Sequence, residues 1–174
     1  MADFPFLLVQ LSSFNSPGED WPNAREAQRR TLVLKNTAMA VTIDIGNPDD
    51  VHPTNKQDVG ARLALAARAV AYGESIEYSG PLYRMVTPDP DGIRVWFDHS
   101  KGMVAKGGEL KGFEIAGADK KYVSTTGRID GDTIVVSKSG IAYPVYVRYA
   151  WASVPDANLF NAARLPASPF TSEP

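Results

Sequence analysis

The strongest constraint on this chain is a change of pattern near residue 75. Up to about Gly73, strand-like runs alternate with helical ones; from about Ile76 onward, short strand-like runs alternate with turns. The first pattern implies a parallel sheet layered with helices, and the second an antiparallel module. We therefore expect an α/β layer over residues 1–75, followed by a β-sandwich-like module with an extended tail over residues 76–174.

Phe6 to Leu11 is a mostly apolar run, as expected of a strand buried on both faces of a parallel sheet. Ser12 to Asp20 reads as a loop. Asp20 then suits an N-cap, and Pro22 sits in a first turn that accepts proline. Asn36 ends that helix. Met39 to Ile45 is a second apolar run, closed by Gly46. After the loop 47–53, Thr54 with Gln57 three residues on matches a capping box. Val59, Leu63, Ala66, Ala67 and Val70 form one apolar helical stripe, and Gly73 ends it.

In the second half, Asp91-Gly92 precedes Ile93–Phe97, and Asp130-Gly131 separates two further strand-like runs, both hairpin signals. Tyr143 to Trp151 alternates as a strand. Six or seven antiparallel strands are expected, and the proline-rich stretch 155–174 is expected to lie extended over the surface.

Composition removes several functions. Lys and Arg number 18 against 20 Asp and Glu, a net charge of −2, which lacks the clustered positive charge of a nucleic-acid-binding surface. The longest apolar run, Phe4 to Val9 interrupted by Pro5, is too short to cross a bilayer, so no membrane role is expected. Met1-Ala2-Asp3-Phe4 has no basic n-region of a signal peptide. With no cysteine there is no disulfide, thiol nucleophile or thiolate metal site. The two histidines, His52 and His99, fall in different halves without ligand spacing, so neither a metal nor another cofactor is expected.

His52 is the better candidate for chemistry. Asp49-Asp50-Val51-His52-Pro53 follows the C-terminal end of a strand expected to be parallel, the edge where open α/β sheets carry their sites. A carboxylate three residues before a histidine can fix its tautomer and steady the imidazolium, making it a general base. Asp50 rivals Asp49 for the acid. The bland alternative is a loop histidine that only caps or packs.

The string Asp44-Ile45-Gly46-Asn47-Pro48-Asp49-Asp50-Val51-His52-Pro53, continuing through Asn55-Lys56, Val59-Gly60 and Arg62-Leu63-Ala64, resembles a block of the sialate O-acetylesterase family of SGNH-type carbohydrate esterases. Further matches are Trp21-Pro22, Arg25 to Gln28, Tyr78 to Pro81, Lys111 to Asp119, Val147 to Trp151 and Leu165 to Phe170. The resemblance implies a partial SGNH-like parallel sheet, and the catalytic acid and base at Asp49 and His52. It implies hydrolysis of an acetyl ester on a sugar or polysaccharide, in a secreted or periplasmic protein. The family's nucleophile block, Gly-Gln-Ser-Asn or Gly-Asp-Ser, is absent. The chain thus resembles the C-terminal part of such an enzyme, expected as a homo-oligomer or beside a missing N-terminal half. A noncatalytic glycan-binding or structural β-sandwich module is the alternative.

Other candidates read more plainly. Gly73-Glu74-Ser75 ends a helix rather than presenting a nucleophile. Ser12 and Ser13 follow a strand and could approach His52, but read first as loop residues. Asp98-His99 is a strand end. Trp96, Phe97, Tyr143, Tyr146, Tyr149 and Trp151 could form a sugar platform, though alternate aromatics on strands more often build a core.

Overall fold

The computed structural model describes residues 4–141 and 143–174; Met1-Ala2-Asp3, which carried the signal-peptide reading, lie outside them. The elements run β1 (Phe6–Val9), α1 (Trp21–Arg30), β2 (Thr37–Ala40), α2 (Lys56–Val70), β3 (Leu82–Asp89), β4 (Gly92–Asp98), β5 (Val104–Ala105), β6 (Phe113–Ala116), β7 (Val123–Thr125), β8 (Gly127–Asp130), β9 (Thr133–Val136), β10 (Tyr146–Tyr149), β11 (Leu159–Phe160) and β12 (Phe170–Thr171). The result is a mixed α/β chain with few helices and several antiparallel sheets.

β1 and β2 pair in parallel, Phe6 opposite Thr37 and Val9 opposite Ala40. Both helices form for the local reasons the sequence offers. Asp20 caps α1 by accepting from the Asn23 amide, with Pro22 inside the first turn. The cap of α2 is displaced by one residue from expectation. Asn55, not Thr54, accepts from the Asp58 amide at 3.1 Å, and its own amide donates to the Asp58 carboxylate at 2.8 Å. That reciprocal pair outcompetes Thr54 with Gln57, because it satisfies a helical N–H and holds the capping side chain at the same time.

The remaining strands make two four-stranded sheets, ordered β3-β4-β9-β8 and β12-β10-β6-β7, and a short pair β11-β5. Both expected hairpins form: β3 turns into β4 at Pro90-Asp91, and β8 into β9 at Gly131-Asp132, where Gly131 takes a φ of +60°. Among the described residues ten strands stand where six or seven were expected, because the short strands β5, β7, β11 and β12 carry no alternation to read.

Two further expectations are corrected. β1 is not buried on both faces: Phe6 and Val9 are exposed, and β2 is its one pairing partner among the described residues. The tail does not lie over the surface. Leu165, Ala167, Ser168 and Phe170 are all buried, and β12 pairs with β10. Phe170 stacks on Tyr83 at 4.5 Å and meets Phe97 edge-on at 5.8 Å, so apolar burial pulls the tail inward. The core joins Met39, Val41 and Ile43 of the first half to Phe113, Ile115, Val147 and Tyr149 of the second.

Candidate active site

The site is assembled at the C-terminal ends of β1 and β2. Beyond the strands the chains still run together: the Gln10 amide donates to Ala40 O at 2.9 Å, and the Thr42 hydroxyl to Gln10 O at 2.6 Å. The two loops that follow are packed backbone to backbone. A Cβ on Gly46 would lie 2.3 Å from the Ser13 nitrogen, so only glycine fits, and the Asn15 amide donates to Pro48 O at 2.9 Å.

Within the second loop, polar side chains shape the backbone. Asn47 Oδ1 accepts from the Asp49 amide at 3.0 Å, and Asp50 Oδ1 from the His52 amide at 2.8 Å. The His52 ring stands in solvent, with Nδ1 3.5 Å from Asp50 Oδ1. Among the described residues, Asp50 is the carboxylate within ion-pair distance of that ring. Asp49 is exposed at the loop apex beside it. Pro53 is buried, and the Asn55 cap then ties the loop to α2.

Ser13 does not face this histidine freely. It is buried, and its hydroxyl donates to Ile43 O at 2.7 Å. Gly73 bends the chain at a φ of +70°, and the Glu74 amide returns to Arg68 O at 3.0 Å, so Gly73-Glu74-Ser75 ends α2. His99 Nδ1 lies 2.6 Å from Glu77 Oε1, with its ring edge-on to Tyr78 at 4.9 Å, well away in sequence from the loop. Of the aromatics, Phe97 and Tyr149 are core, Tyr143 and Trp96 are exposed, and Tyr146 and Trp151 are half-buried. Among the described residues there is no group of three or more His, Asp or Glu that could hold a metal, and no helix is long and apolar enough to cross a membrane.

No protein-family model matches the chain. A carbohydrate acetylesterase crystal structure from Xanthomonas citri superposes with a TM-score of 0.92 at 47% identity, over 97% of this chain. Sialate O-acetylesterases of Mus musculus and Rattus norvegicus are 30% and 31% identical over 98% and 97% of it. The chain corresponds to the C-terminal part of a sialate O-acetylesterase-like carbohydrate esterase. It spans 36% of the length of each of those curated relatives and 41% of the matched structure.

Two arginines hold the strand-end loops of this esterase-like chain, and neither stood out as functional in the sequence. Arg62 of α2 reaches both Asp44 carboxylate oxygens at 2.6 and 2.7 Å and Val41 O at 2.6 Å, fixing the start of the Asp49–His52 loop. Arg25 of α1 is fully buried without a carboxylate. It donates to Leu11 O at 2.8 Å and Ser12 O at 2.8 Å on one side, and to Ala152 O at 2.7 Å and Ser153 O at 2.9 Å on the other. Burial pushes its pKa down to about 10, which leaves the guanidinium charged at neutral pH. Arg25 and Arg62 both lie inside the stretches that carry the family resemblance, and that was the available signal.

Proposed function

We propose that this chain supplies the acid/base part of a carbohydrate O-acetylesterase, with His52 as general base and Asp49 as its acid. Residues 1–75 would be the C-terminal part of an SGNH-like catalytic layer, and residues 76–174 a β-sandwich-like module. The observation that carries the reading is the Asn47–His52 loop, held at the C-terminal ends of two parallel strands in a chain 47% identical to a carbohydrate acetylesterase.

The serine would come from polypeptide outside these residues. In this scheme His52 takes the serine proton as the hydroxyl oxygen attacks the acetyl carbonyl, then returns it to the departing sugar oxygen. Water hydrolyses the acetyl-serine with the same histidine as base, releasing acetate. The Asp50 carboxylate accepts from the His52 amide and so shapes the loop, while the Asp-x-x-His spacing shared with the family favours Asp49 as the residue that orients the ring. The substrate is an acetylated sugar or polysaccharide. The open side of β1 would be covered by a second copy or by the N-terminal half of the esterase.

A chimera tests this: residues 4–174 replace the matching segment of the Xanthomonas citri enzyme, and hydrolysis of an acetylated sugar is followed. His52→Ala is expected to lower the rate about 10²–10⁴-fold, the usual contribution of acid–base catalysis. A chimera that turns over acetyl ester equally well without His52 would refute the assignment.

A further inference from the structure

We propose that a groove beside Trp151 binds a pyranose ring, as a saccharide subsite separate from the Asp49–His52 loop. The choice of ligand rests on the carbohydrate-esterase reading; the place rests on the groove itself. It is an open groove of about 560 Å³, lined by Trp151, Lys111, Asp156, Ser124, Thr125 and Lys138 among others, with no residue of 47–52 among them. That volume lies within the range of small-molecule sites and accommodates one or two sugar rings.

The chain turns out of the sheet to make it. At the end of β10, Ala150 is buried yet takes a φ of +52°, a left-handed conformation costing an alanine about 1–2 kcal/mol. Its amide donates at 2.8 Å to the carbonyl of Gly112, itself at a φ of +91°. A Cβ on Gly112 would lie 2.9 Å from that of Ala157, so the close approach of the two segments requires glycine. These two turns carry Trp151 off the end of β10 into the groove instead of the core. The next two carbonyls, Ala152 and Ser153, are held by Arg25, so the backbone on both sides of Trp151 is anchored.

The lining suits a sugar. A half-buried indole offers an apolar face for the C–H face of a pyranose. Lys111 and Asp156 form an exposed pair at 3.0 Å, placing a donor and an acceptor at the rim for ring hydroxyls. Among the described residues the Lys138 ammonium makes no ion pair, which leaves it for a hydroxyl or a sugar carboxylate. Ser153, two residues past Trp151, is tied by a backbone bond to the segment that meets the loop. The Phe14 amide donates to Ser153 O at 3.4 Å, and the neighbouring Asn15 amide to Pro48 O, next to Asp49.

The test is a titration of the labelled protein followed by amide NMR, with a neutral xylo-oligosaccharide in one arm and sialyllactose in the other. Saturable shifts are expected at Lys111–Glu114, Ser124–Thr126 and Trp151. Trp151→Ala should weaken binding about tenfold or more, and His52→Ala should leave it unchanged. Lys138→Ala should weaken the sialyllactose arm selectively if the carboxylate is recognised; equal weakening in both arms would mean a hydroxyl contact. If Trp151→Ala does not fold, the shift map and Lys138→Ala decide. No saturable shift with either sugar, shifts centred on another surface, or a folded Trp151→Ala variant with undiminished binding would overturn the proposal. Binding is read without turnover, so the subsite and the esterase reading can fail independently.

Discussion

Arg62 grips Asp44 with both ends of its guanidinium, at 2.6 and 2.7 Å, across the gap between α2 and the end of β2. Both side chains are largely shielded, and the same arginine also satisfies Val41 O. Arg62→Met would leave a carboxylate and a carbonyl without their donor. It is expected to cost about 1.5–3 kcal/mol, as for hydrogen bonds to charged groups, measured by urea denaturation. The His52 ring proton signals should shift as well, since the pair fixes the start of its loop.

Arg25 is the more demanding position. Its fork meets four carbonyls from two distant segments, and a lysine ammonium on a flexible stem cannot span them. Arg25→Lys is expected to destabilise by about 3 kcal/mol or more, since each buried acceptor left bare costs about 1–3 kcal/mol. Thermal melting of the purified variant checks it; an unchanged melt would mean that water replaces the guanidinium without loss.

The cap of α2 separates two neighbouring residues. Asn55→Ala should cost about 0.5–2 kcal/mol, whereas Thr54→Ala should stay within about 0.5 kcal/mol, the range of an ordinary surface change. Paired chemical melts give both values, and the reverse ranking would restore the Thr54 cap.

Glu173 gives a pH dependence. Hydrogen bonds from Lys120 at 2.5 Å and Tyr122 at 2.7 Å hold its carboxyl below the ordinary 4.5. A carboxylate with a depressed folded pKa contributes stability that is present above its unfolded value and lost as pH falls through the folded one. The melting temperature should therefore drop more steeply below about pH 4.5 in the native chain than in Glu173→Gln. Parallel slopes for the two proteins would show that the cluster does not form.

The two candidate acids beside His52 are separable in the chimera. Asp49→Asn should reduce turnover with little change in the melt. Asp50→Asn weakens the bond to the His52 amide and should lower stability along with rate. Loss of activity confined to Asp50→Asn would move the acid role to that residue.

What could be read from the sequence was local. Asp20 with Pro22 marks the start of α1, and the Asp-Gly turns mark hairpins, because each signal and its effect lie within a few residues. Thr54 and Asn55 offer overlapping caps one residue apart, and only the Asn55–Asp58 exchange distinguishes them. The Asp49–His52 loop was legible as a motif, while its support was not. Arg25 bonds to carbonyls as far as 128 residues away, and a carbonyl has no residue identity to recognise. The tail was misread because prolines report backbone stiffness, whereas its placement is decided by Phe170 and by the aromatic partners Tyr83, Phe97 and Phe113.

Phe170 also sets an order of events during synthesis. It closes on Tyr83, a residue made 87 positions earlier, so the surrounding aromatics wait for it as translation proceeds. Until residue 170 clears the ribosome, Phe97, Phe113 and Tyr149 lack the ring that seals them. From residue 83 to residue 170 the nascent chain thus carries an unfinished apolar surface, the condition in which chaperones are recruited and aggregation competes with folding. A ribosome stalled a few codons before Phe170 would hold a polypeptide with almost all of its strands written and no way to shut them.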